Sequence, residues 1–254
     1  MKIVRVRIHG DEIAYGVAEA DGVRVHRGTP FVAWEPTDVV IPYDEAHLLA
    51  PVFPTKIVCV GRNYADHAAE FGNSVPDEPI IFMKPATSVI GPGAAIVLPP
   101  ESSEVHHEAE LAIVVGTVSR KVTAEDASAH ILGYTAANDV SARDLQTRDG
   151  QWTRSKSFDT FCPLGPAIET ELDPAGLRIS CLVNGVVRQE GSTDDLVFGV
   201  AEIFAFITRV MTMLPGDVIL TGTPAGVGPI VAGDRVEVTI ERIGSLVNPV
   251  VAGT

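Results

Sequence analysis

Two glutamates, Glu108 and Glu110, stand directly before the apolar run Leu111-Ala112-Ile113-Val114-Val115, which Gly116 closes. A run this short, rich in aliphatic and β-branched residues and stopped by glycine, predicts a buried strand. Side chains alternate faces along a strand, so His106, Glu108, Glu110 and Ala112 share one face and Leu111, Ile113 and Val115 the other. Two carboxylates at the mouth of a buried strand repel each other unless a cation sits between them or one keeps a proton. A hard divalent metal meets that requirement directly. For an isolated Glu-x-Glu the ordinary reading is a solvated strand end with both side chains in water. The apolar run and the adjacent His106 and His107 make a metal site an equal competitor.

The 254 residues suffice for one large domain, or for a large domain and a small one. Hydrophobic residues make up 46% of the chain and aromatics only 6%, so Val, Ile, Leu and Ala must fill the core. A formal charge of −14 leaves no basic stripe to displace phosphate counterions, which argues against nucleic acid and against an anionic membrane surface. No apolar run approaches the roughly 20 residues of a spanning helix. The alternating Met1–Arg7 stretch lacks the apolar centre of a signal peptide, so a cytoplasmic protein is expected. Cys59, Cys162 and Cys181 lie far apart with no metal-ligand spacing, in keeping with a reducing compartment. Cys59 and Cys181 fall in strand-like apolar runs as small buried thiols, and nothing near Cys162 argues for a reactive thiolate.

Residues 1–54 read as a small β-rich unit, with strands over 1–8, 13–18 and 23–26 and a turn at Asp21-Gly22. Pro30, Pro36, Pro42, Pro51 and Pro54 then predict a stretch without long elements. A larger unit, 55–254, opens with a strand over 56–60, followed by a short helix over 62–71 that Gly72-Asn73-Ser74 ends. Further strands are expected over 80–83, 96–98, 131–137, 217–220 and 234–240. The clearest hairpin joins 177–183 to 186–189 through Asn184-Gly185, a pair suited to a type I′ turn. Helices are expected over 123–130, 141–146 and 200–211, the last presenting Ala201, Phe204, Ala205 and Val210 on one face. Many strands, few helices and no regular strand–helix alternation indicate an α+β or mostly-β fold.

Asp139 follows an apolar strand just as Glu108 and Glu110 precede one, so the three carboxylates can meet at one end of a sheet. Three carboxylates suit Mg²⁺, Mn²⁺ or Ca²⁺, whereas His106 in place of one acid would suit a transition metal. His67 and Glu70 are three apart on the expected helix and share a face. A carboxylate that orients a histidine makes a general base, although a solvated surface pair has the same spacing. Lys156 lies in an apolar setting, where its ammonium can meet an anionic substrate. Arg62, Arg143 and Gln146 are candidates to grip a carboxylate. The Gly-rich turn after Leu220, containing Thr221, Gly222 and Thr223, offers amides to an anion but lacks the Gly-Lys-Ser/Thr ending of a P-loop.

Six segments, in order, are similar to the fumarylacetoacetate hydrolase family: Val58 to Tyr64 with Asp66-His67, His107 to Leu111, Asp139 to Gln146, Lys156 to Asp159, Val183 to Gly185, and Leu220 to Pro224 with Gly226-Val227-Gly228. The resemblance covers nearly everything from Lys56 onward and leaves residues 1–54 as the small N-terminal domain that bacterial members often carry. It implies a mixed β-sandwich roll, normally homodimeric, acting on a small anionic 2-oxo acid. Within it Glu108, Glu110 and Asp139 would hold Mg²⁺, or Mn²⁺ or Ca²⁺. His67 and Glu70 would lie on a lid helix. Arg143, Gln146 and Lys156, with Arg62 and Tyr64 from the first segment, would contact substrate, and Thr223 would help seat its carboxylate.

The chemistry implied is stabilisation of an enolate formed at C3 of the 2-oxo acid, with the metal as Lewis acid and Lys156 as a second positive charge. Water activated by His67 and Glu70 then gives carbon–carbon hydrolysis of an acylpyruvate or fumarylpyruvate, the leading expectation. Reprotonation elsewhere gives isomerisation of an unsaturated 2-oxo diacid in aromatic catabolism, and loss of CO₂ gives oxaloacetate decarboxylation. A non-catalytic metal-binding dimer is the remaining and least favoured reading, because a competent residue occupies every proposed position.

Overall fold

The Ala109–Val115 strand is the centre of the molecule, and all seven of its residues are buried. In a computed structural model, which describes residues 1–8, 10, 12–70, 72 and 74–254, it lies inside a 12-stranded sheet. On one side it pairs antiparallel with Ile131–Asn138 and on the other with Val218–Leu220. Its side chains serve two cores, as a period of two requires. Leu111, Ile113 and Val115 enter a cluster with Ile179, Cys181, Val236, Val238 and Leu246, which come from a second, five-stranded sheet. Ala112 and Val114 enter another with Ile57, Cys59, Leu164 and Val218. Each large aliphatic side chain so buried contributes about 1.5–3 kcal/mol, which sets the strand's register firmly. This is the mixed α+β sandwich roll expected, with strands dominating and helices few.

Beyond Val218–Leu220 the sheet continues with Ile57–Gly61, in parallel, and then Ile80–Lys84. Beyond Ile131–Asn138 it continues with Cys162–Glu169 and Lys2–Arg7, so the first strand of the chain extends the sheet that carries the two glutamates. Ile13–Glu19, Gly22–Thr29 and Ala33–Ile41 complete that side. The nine-residue Ala33–Ile41 strand was not expected, because it contains Pro36. It is tolerated because the strand is the sheet edge and the register shifts opposite it, between Arg24 and His26, so no central ladder bond is lost. The expected hairpin forms, with Asn184 and Gly185 both at positive φ as a type I′ turn requires.

Helices α1 (Ala65–Glu70), α2 (Ala127–His130), α3 (Arg143–Asp149), α4 (Thr153–Lys156) and α5 (Val200–Val210) are short. The helix expected over 62–71 is realised as α1, and Phe71 and Asn73 lie outside the described residues. The helix expected from Ser141 begins only at Arg143, because Ser141-Ala142 pairs with Val105–His107 in a small three-stranded sheet. Phe204 is buried on α5 as expected, but its buried neighbours are Ile203, Ile207 and Thr208 rather than Ala201, Ala205 and Val210. Val210 is 57% exposed, since a stripe at i, i+4 beginning from Ile203 brings more apolar area to the core. Among the described residues no helix is long and apolar enough to cross a membrane.

Candidate active site

Glu108 is the residue at which the chain leaves one sheet for another. Val105–His107 belongs to the small sheet and Ala109 opens the central strand. The junction is pinned on both sides: Asn138 Oδ1 accepts from the Glu108 amide at 2.9 Å, and the Asp139 amide donates to the Glu108 carbonyl at 2.8 Å. Asp139 is thereby placed beside Glu108 and Glu110, with ligand oxygens of all three within 4.8 Å of one another and all three buried. His106 does not join them. The strand alternation stops at the junction, and its Nε2 instead pairs with Glu104 at 3.0 Å. The His-carboxylate alternative is therefore set aside.

Cations surround two of the three acids. Lys156 Nζ lies 2.7 Å from both Glu108 and Asp139, Lys84 Nζ lies 2.6 Å from Asp139, and Arg143 pairs closely with Glu108. Burial works to raise Glu108, but Lys156 and then Arg143 outweigh it and hold the carboxyl well below the usual range. Burial likewise opposes charge on Lys156, and Asp139 and Glu108 overcome it, so the ammonium stays charged. Glu110 differs. It accepts the Gly222 amide at 2.6 Å and pairs with no cationic side chain among the described residues. Burial first, then Asp139 and Glu108, push its pKa well above the ordinary value. A buried carboxylate short of a counter-charge, in a set of three convergent carboxylates, fits a hard divalent cation.

The acids open into a cavity of about 310 Å³ that Arg62, His67, Phe82, Arg143, Gln146, Trp152, Lys156 and Thr223 also line. His67 Nδ1 stands 3.3 Å from Glu70 Oε2, so the expected pair forms on α1, with the histidine on the cavity wall and Glu70 behind it. Arg143 Nη1 donates to Gln146 Oε1 at 2.8 Å across one turn of α3. Thr223 Oγ1 donates to the Ala109 carbonyl at 2.8 Å and accepts from Gln189 at 2.7 Å, which ties the Gly-rich turn to the central strand. Tyr64 is 2% exposed and lies off the cavity wall, its hydroxyl without a hydrogen-bond partner among the described residues. Its pKa is raised by burial, then by Glu110.

Sequence reasoning passed over Lys84, which is 1% exposed and donates to Asp139 Oδ1 while Lys156 donates to Oδ2. The signal was available: a period of two along Ile80–Lys84 puts Phe82 and Lys84 on one face, and a charge there needs a buried partner. Asn63 was also passed over. Its side chain bonds the Phe198 and Thr221 carbonyls at 3.0 and 2.7 Å and fixes the loop that leads into α1.

Residues 56–251 match the family described as "Fumarylacetoacetate (FAA) hydrolase C-terminal", and residues 1–51 match "Rv2993c-like, N-terminal". The human mitochondrial oxaloacetate tautomerase FAHD2A is 50% identical over 225 residues, covering 84% of this chain and 72% of its own. The crystal structure of a 5-carboxymethyl-2-hydroxymuconate delta-isomerase from Mycobacterium smegmatis is 47% identical, with a TM-score of 0.93 and full coverage of both chains. The structure of maleylpyruvate hydrolase from Sphingobium sp. SYK-6, in complex with manganese(II) ion and pyruvate, is 33% identical, with a TM-score of 0.81 and full coverage of both.

Proposed function

The chain belongs to the fumarylacetoacetate hydrolase family, and from that premise we propose that it is an enzyme that moves a proton at C3 of an anionic 2-oxo acid, as a tautomerase or isomerase. One observation carries this reading: three convergent buried carboxylates and the buried ammonium of Lys156 share a cavity wall with a single histidine backed by a carboxylate. Glu108, Glu110 and Asp139 would hold Mg²⁺, with Mn²⁺ or Ca²⁺ as alternatives, and such a cation supplies Lewis-acid polarisation of a C2 carbonyl. Arg143 and Gln146 orient the substrate carboxylate, and Thr223, also on the cavity wall, helps seat it. Lys156, itself buried, stabilises negative charge as it develops on the C2 oxygen. His67 takes the C3 proton and returns it, and Glu70 fixes the imidazole tautomer that can do so.

The relatives at about half identity named for an activity are a tautomerase and an isomerase, both proton-shifting catalysts, which supports this outcome ahead of hydrolysis. Carbon–carbon hydrolysis is the second reading. The His67–Glu70 pair serves it equally, because the same base can activate a water, and the maleylpyruvate hydrolase relative supports it. A homodimer belongs to the proposal, with sedimentation as its test. The experiment that tests the proposal is His67→Ala. Turnover of 2-oxo acids is expected to fall by about 10²–10⁴-fold, while calorimetric Mg²⁺ binding persists. Undiminished turnover in that variant would remove the base from the account.

A further inference from the structure

One buried amide side chain joins the five-stranded sheet to the cavity wall. Gln189 lies on Val186–Ser192, the edge strand of that sheet, and is 1% exposed, whereas Val187, Arg188 and Glu190 around it are exposed. Strand alternation alone would put Val187 and Gln189 on one face. A bulge separates them: Gln189 stands opposite Cys181 and Val187 opposite Leu182, so Arg188 is an extra residue. Such bulges re-aim a side chain, and this one sends Gln189 to the Gly-rich turn after Leu220. Turn and strand approach closely there. A Cβ at Gly226 would lie 2.2 Å from the Arg188 carbonyl oxygen, and one at Gly191 would lie 2.8 Å from Pro224 Cβ.

The partners of Gln189 fix the direction of its hydrogen bonds. The Ala109 amide can only donate and reaches Oε1 at 3.0 Å, whereas the Pro224 carbonyl can only accept and receives Nε2 at 2.8 Å. The side-chain amide therefore has one orientation. It follows that His107 Nδ1, 3.0 Å from Oε1, carries a proton, and that Nε2 donates to Thr223 Oγ1 at 2.7 Å. Thr223 then sends its own proton to the Ala109 carbonyl, 2.8 Å away. Its hydroxyl has no proton left for a substrate carboxylate. The Thr223 backbone amide, which donates to no described residue, is the donor it keeps. The turn sets where that amide stands, and Gln189 grips the turn at Thr223 and Pro224 together.

We propose that Gln189 is a positioning residue for the substrate seat: it lies off the cavity wall and holds Thr223 in place on it. This rests on the C3 proton-transfer reading above. The test is a double-mutant cycle of Gln189→Met and Thr223→Val. It is read as kcat and KM for C3 proton exchange in deuterated water with Mg²⁺, on whichever of 2-oxobutanoate and 2-oxoglutarate the native protein exchanges faster. Met keeps the length of the side chain and removes its polar bonds. Gln189→Met is expected to raise KM about 5- to 10-fold, the scale of one neutral hydrogen bond. Its kcat should stay within about threefold of native, because only uniform binding is lost. In the Thr223→Val background the same change is expected to move KM by about twofold at most, since the link it breaks is already gone. If Gln189→Met fails to fold, Gln189→Glu, equal in shape but with an acceptor facing Thr223 and Pro224, carries the same prediction. An unchanged KM in the single variant, or effects that simply multiply in the double variant, overturns the assignment and leaves the proton-transfer reading standing. Failure of the native protein to exchange either acid overturns that reading and the positioning role with it.

Discussion

Replacing Glu110 by Gln should make the protein more stable without metal and less responsive to it. Glu110 is 2% exposed, has no cationic partner among the described residues, and has its pKa pushed well above the ordinary 4.5, by burial first and then by Asp139 and Glu108. The folded protein therefore holds this proton to higher pH than the unfolded chain does. Stability in chelator must fall as pH rises above the unfolded value, at up to about 1.4 kcal/mol per pH unit until Glu110 ionises. Gln keeps an oxygen for the Gly222 amide and removes the charge. At about pH 8 the variant should gain about 1–2 kcal/mol, the scale of relieving an unpaired buried charge. For a chain of this length that is about 2–8 °C in Tm. The assay is thermal unfolding at about pH 6 and about pH 8, in chelator and in saturating Mg²⁺. Native protein should gain from Mg²⁺ and the variant should gain little. A variant less stable than native in chelator, or one that gains equally from Mg²⁺, refutes the reasoning.

Lys84→Met removes a fully buried ammonium from Asp139 and should cost about 3 kcal/mol in urea unfolding. A loss under about 1 kcal/mol would mean that Lys156 alone neutralises Asp139. Cys162 is buried, and burial pushes its thiol up to about 12, as it does that of Cys181. Folded protein should therefore resist alkylation at about pH 8 while urea-unfolded protein reacts at all three cysteines. Ready labelling of folded protein would contradict that burial.

Much of the site was legible because its signals are local. Leu111–Val115 could only be a buried strand, and the strand that ends at Asn138, just before Asp139, pairs with the one that opens at Ala109, between the two glutamates, which brings the acids to one edge. His67 and Glu70 needed only the helical period. What escaped reading depends on partners remote in sequence. His106 left the acidic face because the chain changes sheets at Glu108, a change invisible in the alternation itself. Lys84 looked like an ordinary strand-ending lysine until Asp139, 55 positions away, supplied its partner. Pro36 signalled an interruption, yet the sheet edge absorbs it. The face of α5 was partly misjudged because apolar residues occur on both stripes and Phe204 fits either, so only the core beneath decides between them.

The central claim is that carboxylates Glu108, Glu110 and Asp139 and the base His67 together loosen a proton beside a ketone. The most direct measurement is deuterium incorporation at C3 of a 2-oxo diacid, followed by proton NMR with Mg²⁺ and again after exhaustive chelation. The account predicts rapid incorporation with Mg²⁺, none above the buffer rate after chelation, and recovery when the ion is restored. Exchange that continues at full rate without any divalent ion would contradict it.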